Sequence, residues 1–158
     1  MSILPKPTPA PEAKSKESKQ IALFYAGILV VLAVAQLFTF DSFLELFNSF
    51  NFPGGIGFAY FSGALLVASE LFALPFLLRM PLSKAFRWVS MVAGWVAALI
   101  WIKTTIWVMV AAPTAVSIGF LGTALDILPG WWAVLISFVF GVCAFWASWG
   151  LWPGKRKK

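Results

Sequence analysis

Glu70 is the one carboxylate in LLVASELFALPFLL, residues 65–78, and Pro75 follows it five positions later. A carboxyl group in such a run can hold and release a proton or hydrogen-bond a polar ligand. It has nothing nearby to hydrate its charge. If the run is a helix crossing a membrane, nine residues separate Glu70 from Arg79, a rise of about 13 Å, which puts it close to the midplane. An ionised side chain there costs roughly a few kcal/mol on insertion scales, so the neutral acid is expected unless a partner stands close. At about 100° per residue, Gly63 and Ala59 share its face, and Ala73 and Ser62 flank it. Small residues mark where helices approach one another. Glu70 is therefore expected to face other helices and not lipid, either as a functional group or as a protonated acid hydrogen-bonded to a neighbour. Ser69, Ser62 and Tyr60 on the same run are grouped with it as ligand-binding or protonation residues. Pro75 deprives the Leu71 carbonyl of its amide partner and is the expected hinge.

Lys103, in ALIWIKTTIWVM, is the one intramembrane cation and joins the same group. Counted from Arg87 it lies about 24 Å from the basic edge, roughly 10 Å beyond Glu70 along the normal. Two courses are open to it, a pair with Glu70 or snorkelling to the nearer interface, and the second needs less reach. It points away from the small residues Gly94 and Ala98. Thr104 and Thr105 can bond locally to backbone.

What is missing narrows the chemistry further. There is no histidine and one cysteine, Cys143, in the apolar stretch FGVCAFW. Imidazole ligands and a dithiol pair are both lacking, so no metal site, no catalytic residue and no cofactor held by this chain are expected. Cys143 reads as a small buried hydrophobe. The protein is expected to have no catalytic activity of its own.

The elements that position these residues follow from composition. The 158 residues are 61% hydrophobic and 11% charged, too apolar to cover themselves in water. Four apolar segments, at about 21–40, 56–78, 86–111 and 131–151, are each long enough to cross a bilayer core. Backbone groups in lipid must be satisfied within the segment, so helices are expected. The fold class is all-α, an integral membrane four-helix bundle in one domain over 21–152. Residues 1–20, rich in Pro, Lys, Glu and Ser, read as a disordered basic tail, and 153–158 as a second basic tail. Ala33-Val34-Ala35 looks like a small-residue cleavage site, but the leader before it is long and the apolar run continues beyond it.

Lys6, Lys14, Lys16 and Lys19, then Arg79, Lys84 and Arg87, then Lys155, Arg156, Lys157 and Lys158 all fall on one side of this topology. The opposite loops carry Asp41, Glu45 and Asp126. Both termini are therefore expected in the cytoplasm, with the protein multi-pass in the cell inner membrane. The C-terminal cations suit anionic lipids. The net charge of +6 reflects this distribution and not nucleic-acid binding. In FDSFLELFNSFNFPGG, residues 40–55, Phe43, Leu44, Phe47 and Phe50 recur at helical spacing, as in a short interfacial helix stopped by Pro53-Gly54-Gly55. The other outer loop, PTAVSIGFLGTALDILPG, is half apolar and reads as interfacial or re-entrant. Together the two loops are expected to cap the bundle. Trp88, Trp131, Trp132, Trp149 and Trp152 sit at span ends as aromatic belts. Gly141, Ala144 and Ser148 form a small-residue stripe that suits bundle packing or a homo-oligomer.

Gln36-Leu37-Phe38, the loop ending Phe52-Pro53-Gly54, and Ser69-Glu70-Leu71 in SELFALPFLLR give residues 21–110 a pattern that resembles the DoxX/MauE-like family of small bacterial membrane proteins. The resemblance implies a four-helix bundle that serves as an accessory subunit of a membrane redox or quinone-linked system. Of the family's pattern, the second-span glutamate falls on Glu70. The end of the first span departs from it, with AQLFTF in place of a Gly-Lys-Leu-like turn. The expected function is thus a non-catalytic accessory protein binding a quinone, lipid or membrane redox partner near Glu70. The alternatives are a small proton-coupled transporter working as an oligomer and a purely structural subunit.

Overall fold

The structure, a computed structural model, describes residues 7–152. It contains five helices: α1 (Lys16–Phe38), α2 (Phe40–Ser49), α3 (Gly55–Leu77), α4 (Lys84–Ala111) and α5 (Trp131–Gly150). Among the described residues the only β-type pairing is the isolated bridge between Thr8 and Leu82. Helices α1, α3, α4 and α5 are long and apolar enough to cross a membrane, and each lies within a few residues of an expected span. The largest shift is at α1, which starts five residues early. Ser15 caps it, its Oγ accepting from the Ser18 amide at 3.2 Å, and Lys, Glu and Gln in the next turn are good helix formers.

The four long helices form a ring in which α1 and α4 each pack on both α3 and α5. The Tyr25 hydroxyl crosses the ring to donate to the Gly94 carbonyl at 2.9 Å. On the α4–α5 side, Trp95 Nε1 donates to Ser148 Oγ at 2.9 Å, and Thr105 and Ser137 hydroxyls lie 2.9 Å apart. Such polar ties suit helices that gain little from hydrophobic association in lipid. Cys143 belongs to the apolar core. Trp131, Trp149 and Trp152 are exposed at the ends of α5, and Trp152 meets Trp88 edge-on at 5.2 Å.

At one end of the ring the start of α1, the α3–α4 turn and the end of α5 come together. Residues 7–15 are fastened there, so the expectation of disorder from 1 to 20 is corrected over 7–20. Thr8 exchanges backbone hydrogen bonds with Leu82 at 3.0 and 3.2 Å, and the Lys14 amide donates to the Gly150 carbonyl at 3.0 Å. Arg87, only 5% exposed, donates through Nη2 to the carbonyls of Thr8 (2.8 Å), Pro9 (3.0 Å) and Leu82 (3.3 Å). Arg79 Nη2 donates to the Pro11 carbonyl at 3.1 Å. The strap is held through backbone atoms, which is why its polar composition did not reveal it. Lys6 and the run Lys155, Arg156, Lys157 and Lys158, expected to meet anionic lipid, lie outside the described residues.

At the other end, α2 lies across the bundle as the aromatic spacing requires. Phe43, Phe47 and Phe50 are fully buried, while Asp41, Glu45 and Asn48 face out. The buried rings continue through Phe52 to Trp107, whose Nε1 donates to the Phe50 carbonyl at 2.9 Å. Gly63 makes this close approach workable. A Cβ there would stand 2.9 Å from Leu44 Cδ2 and 3.4 Å from the Phe47 ring.

Candidate functional site

Glu70 is fully buried within the ring. It sits in the second half of α3, where three other parts of the chain converge. From α4, Trp101 Nε1 donates to Glu70 Oε1 at 2.8 Å. From α1, Gln36 Nε2 lies 3.5 Å from the same oxygen and donates to the Phe120 carbonyl at 3.1 Å. Gln36 and Trp101 are also fully buried. The Phe120 ring packs on Trp101 with centroids 4.5 Å apart. Two oxygens in this cluster, Glu70 Oε2 and Gln36 Oε1, are buried with no partner among the described residues. Unpaired buried polar atoms are rare, because each forfeits its hydration without recompense.

Phe120 reaches the cluster because the α4–α5 connection turns inward. Ser117, Ile118 and Phe120 are 4% exposed or less. The Ile118 amide donates to the Ile127 carbonyl at 2.8 Å and closes the loop on itself. Ser117 Oγ accepts from the amides of Gly119 (3.2 Å) and Ile127 (3.1 Å). Gly122 has φ +61°, and a Cβ there would collide with Thr39 Oγ1 and stand 2.9 Å from the Ala35 carbonyl. Only glycine gives both that backbone turn and that approach. Thr39 Oγ1 accepts from the Thr123 amide at 3.0 Å, which moors the loop to the end of α1.

The other expected site residues are not brought to Glu70. Ser69 is buried beside it in sequence but projects about 100° away around α3. Ser62 and Tyr60 are half-buried, about 12 and 15 Å along the same helix from Glu70. Lys103 does not pair with the acid. It is exposed, and its Nζ stands 4.4 Å from the Phe58 ring and 5.4 Å from Phe52. A cation on the outer face of α4 gains more from those rings than it could by crossing the core.

Pro75 is clamped where a hinge was expected. The Phe76 amide donates to Ser90 Oγ at 3.0 Å, and Ser90 Oγ donates to the Phe72 carbonyl at 2.6 Å. The serine hydroxyl thus joins the Phe76 amide to the Phe72 carbonyl, one rung beyond the bond that Pro75 cannot make to Leu71.

Reading the sequence for sites passed over Gln36, Trp101 and Phe120. Gln36 carried a usable signal, being the polar residue inside the first apolar run. Trp101 carried another, since an indole far from both headgroup levels needs an acceptor for its N–H. Phe120 carried none. Among the described residues no group of His, Cys, Asp and Glu could hold a metal ion. Comparison of the chain with protein-family models, with curated proteins and with solved structures gives no match.

Proposed function

We propose that this chain is a non-catalytic accessory protein of a membrane redox or quinone-linked system in the cell inner membrane, with both termini in the cytoplasm. Its role is to bind a hydrophobic ligand, of the quinone or lipid kind, whose oxygen hydrogen-bonds at Glu70. One observation carries the reading: two unpaired oxygens, Glu70 Oε2 and Gln36 Oε1, in one buried cluster whose Trp101 and Gln36 N–H donors are bonded elsewhere in it. The donors on Glu70 all approach Oε1. That asymmetry is the one a carboxylic acid presents, with a carbonyl oxygen that accepts and a hydroxyl that is free to donate. A ligand carbonyl can take that hydroxyl proton in a hydrogen bond, and a ligand hydroxyl can donate to Gln36 Oε1. The resemblance of Ser69-Glu70-Leu71 and its surroundings to the DoxX/MauE-like family points the same way. Electrons, if they pass, must come from a partner's cofactor.

The test is native mass spectrometry after mild detergent extraction. The wild-type protein is expected to carry a quinone or lipid that survives activation, and Glu70→Gln to lose it while still inserting. Equal retention by Glu70→Gln would remove the acid from the site.

A further inference from the structure

The polar cluster is closed on the side of α2 and the α4–α5 loop by a segment of unusual character. Residues 117–122 are backbone without helix or strand, yet they are buried at the depth where Gln36 and Trp101 meet. In lipid-facing positions such backbone is not tolerated; it is found where protein or a cavity surrounds it. The Phe120 carbonyl accepts from Gln36 Nε2, and its ring lies on the Trp101 indole and against Phe140 and Trp132. Phe120 thus covers the Gln36 amide and the Trp101 indole, the two groups whose N–H donors face Glu70 Oε1.

We infer that residues 117–122 are a displaceable plug, an intrachain occupant that leaves when ligand enters and opens the Glu70 site on the loop end of the bundle. Three features fit removal as a unit. The loop is internally cross-braced, by Ser117 Oγ to two amides and by Ile118 to Ile127. Its polar moorings to the rest of the chain are the bonds to Thr39 and Gln36, beside apolar packing of Phe120 on Trp101, Phe140 and Trp132. Its flanks are exposed, at Pro113, Thr114 and Val116 on one side and Ala124, Leu125 and Asp126 on the other. The opposite side of Glu70 offers no comparable exit. There Ala73 and Gly94 are in close contact, and the Tyr25–Gly94 hydrogen bond crosses the ring. The inference rests on the ligand reading for its purpose and on loop geometry for its motion, and the two can fail separately.

The experiment uses the full chain in lipid nanodiscs. Ile118→Cys is made with Cys143→Ala, and its rate of reaction with a charged, water-soluble maleimide is compared with that of Ala73→Cys in the same background. Ile118 and Ala73 are both fully buried. The plug predicts that Cys at 118 reacts at least about tenfold faster, because local opening is cheaper than global unfolding. A disulfide between Thr39→Cys and Thr123→Cys should suppress that reaction, and reduction followed by removal of the reductant should restore it, read at position 118 itself by peptide mass spectrometry. Equal rates at 118 and 73 overturn the inference. Hydrogen exchange of the wild-type chain decides the matter if the variants misfold: amides of 117–123 must exchange well before those of α4, and simultaneous exchange counts against the plug. A short-chain benzoquinone with every ring carbon substituted, so that it cannot add the thiol itself, should accelerate maleimide reaction at 118. If the baseline difference is present and the quinone changes nothing, the plug stands and the quinone is rejected as its displacer.

Discussion

The chemistry at Glu70 turns on which of its two oxygens is served. Oε1 receives the Trp101 indole and faces the Gln36 amide, while Oε2 has no partner. Trp101→Phe keeps the ring against Phe120 but removes the donor, leaving Oε1 poorly served. A loss of about 1–3 kcal/mol in stability is expected, the usual consequence of orphaning a buried acceptor, read as a lower melting temperature in detergent. Glu70→Gln is expected to cost less, within about 1 kcal/mol, because its amide oxygen still accepts from Trp101. The two variants thus separate packing from proton chemistry: the first destabilises, the second abolishes ligand retention. A Glu70→Gln protein that melts far below Trp101→Phe would contradict this. The inward direction of Glu70 was legible from Ala59, Gly63 and Ala73, although Gly63 meets Leu44 and Phe47 of α2 and not another span. Its partners were not legible. Hydrogen-bonding across a bundle depends on helix rotation and register, which spacing along one helix does not reveal.

Among the elements, α3 is the one with a proline in its interior. Pro75 cannot donate to Leu71, and its ring crowds the turn before it. The Ser90 hydroxyl, fully buried on α4, then joins the Phe76 amide to the Phe72 carbonyl. Ser90→Ala should leave that amide and carbonyl unpaired, at a cost of about 1–3 kcal/mol. In a Pro75→Ala background the rung can close directly, so the same serine substitution should cost distinctly less. The double-mutant cycle measured by thermal or chemical denaturation reports that coupling. Additive effects would mean that Ser90 merely fills space. The proline and its missing bond to Leu71 were legible in the sequence; the serine that joins Phe76 to Phe72 was not, because it lies fourteen residues beyond Phe76 on another helix. The helices themselves were largely legible, since a 20-residue apolar run in lipid has few alternatives. So was α2, from the recurrence of Phe43, Phe47 and Phe50. It was expected in the interface, capping the bundle, and its Phe43, Phe47 and Phe50 side chains are buried against protein.

For the whole molecule the open question is which end of the bundle faces the cytoplasm, and the strap makes it testable. Composition hid the strap because the residues from Pro7 to Ser15 offer little apolar surface, whereas Arg79 and Arg87 hold them through main-chain carbonyls. Arg87 is buried, and its bonds run to carbonyls, so the charge is offset by peptide dipoles. Hydrogen bonds to a charged group contribute about 1.5–3 kcal/mol. Arg87→Met removes the donor while keeping an apolar stem, and should free residues 7–15. Lys14, tied in the native chain by its amide to Gly150 and by its Nζ 3.9 Å from the Trp149 ring, would then be open to trypsin. Cleavage after Lys14 in detergent should be several-fold faster in Arg87→Met than in the native chain, with α1 itself left intact; unchanged cleavage would mean that the remaining bonds suffice. The same cut reports orientation. If the basic end lies in the cytoplasm, as the clustering of Arg79, Lys84 and Arg87 with the N-terminal lysines requires, trypsin added outside sealed right-side-out vesicles must spare Lys14 in both proteins. Trypsin added to inverted vesicles must cut it, faster in the variant. Cleavage from the outside of right-side-out vesicles would reverse the topology and with it the side from which the Glu70 site opens.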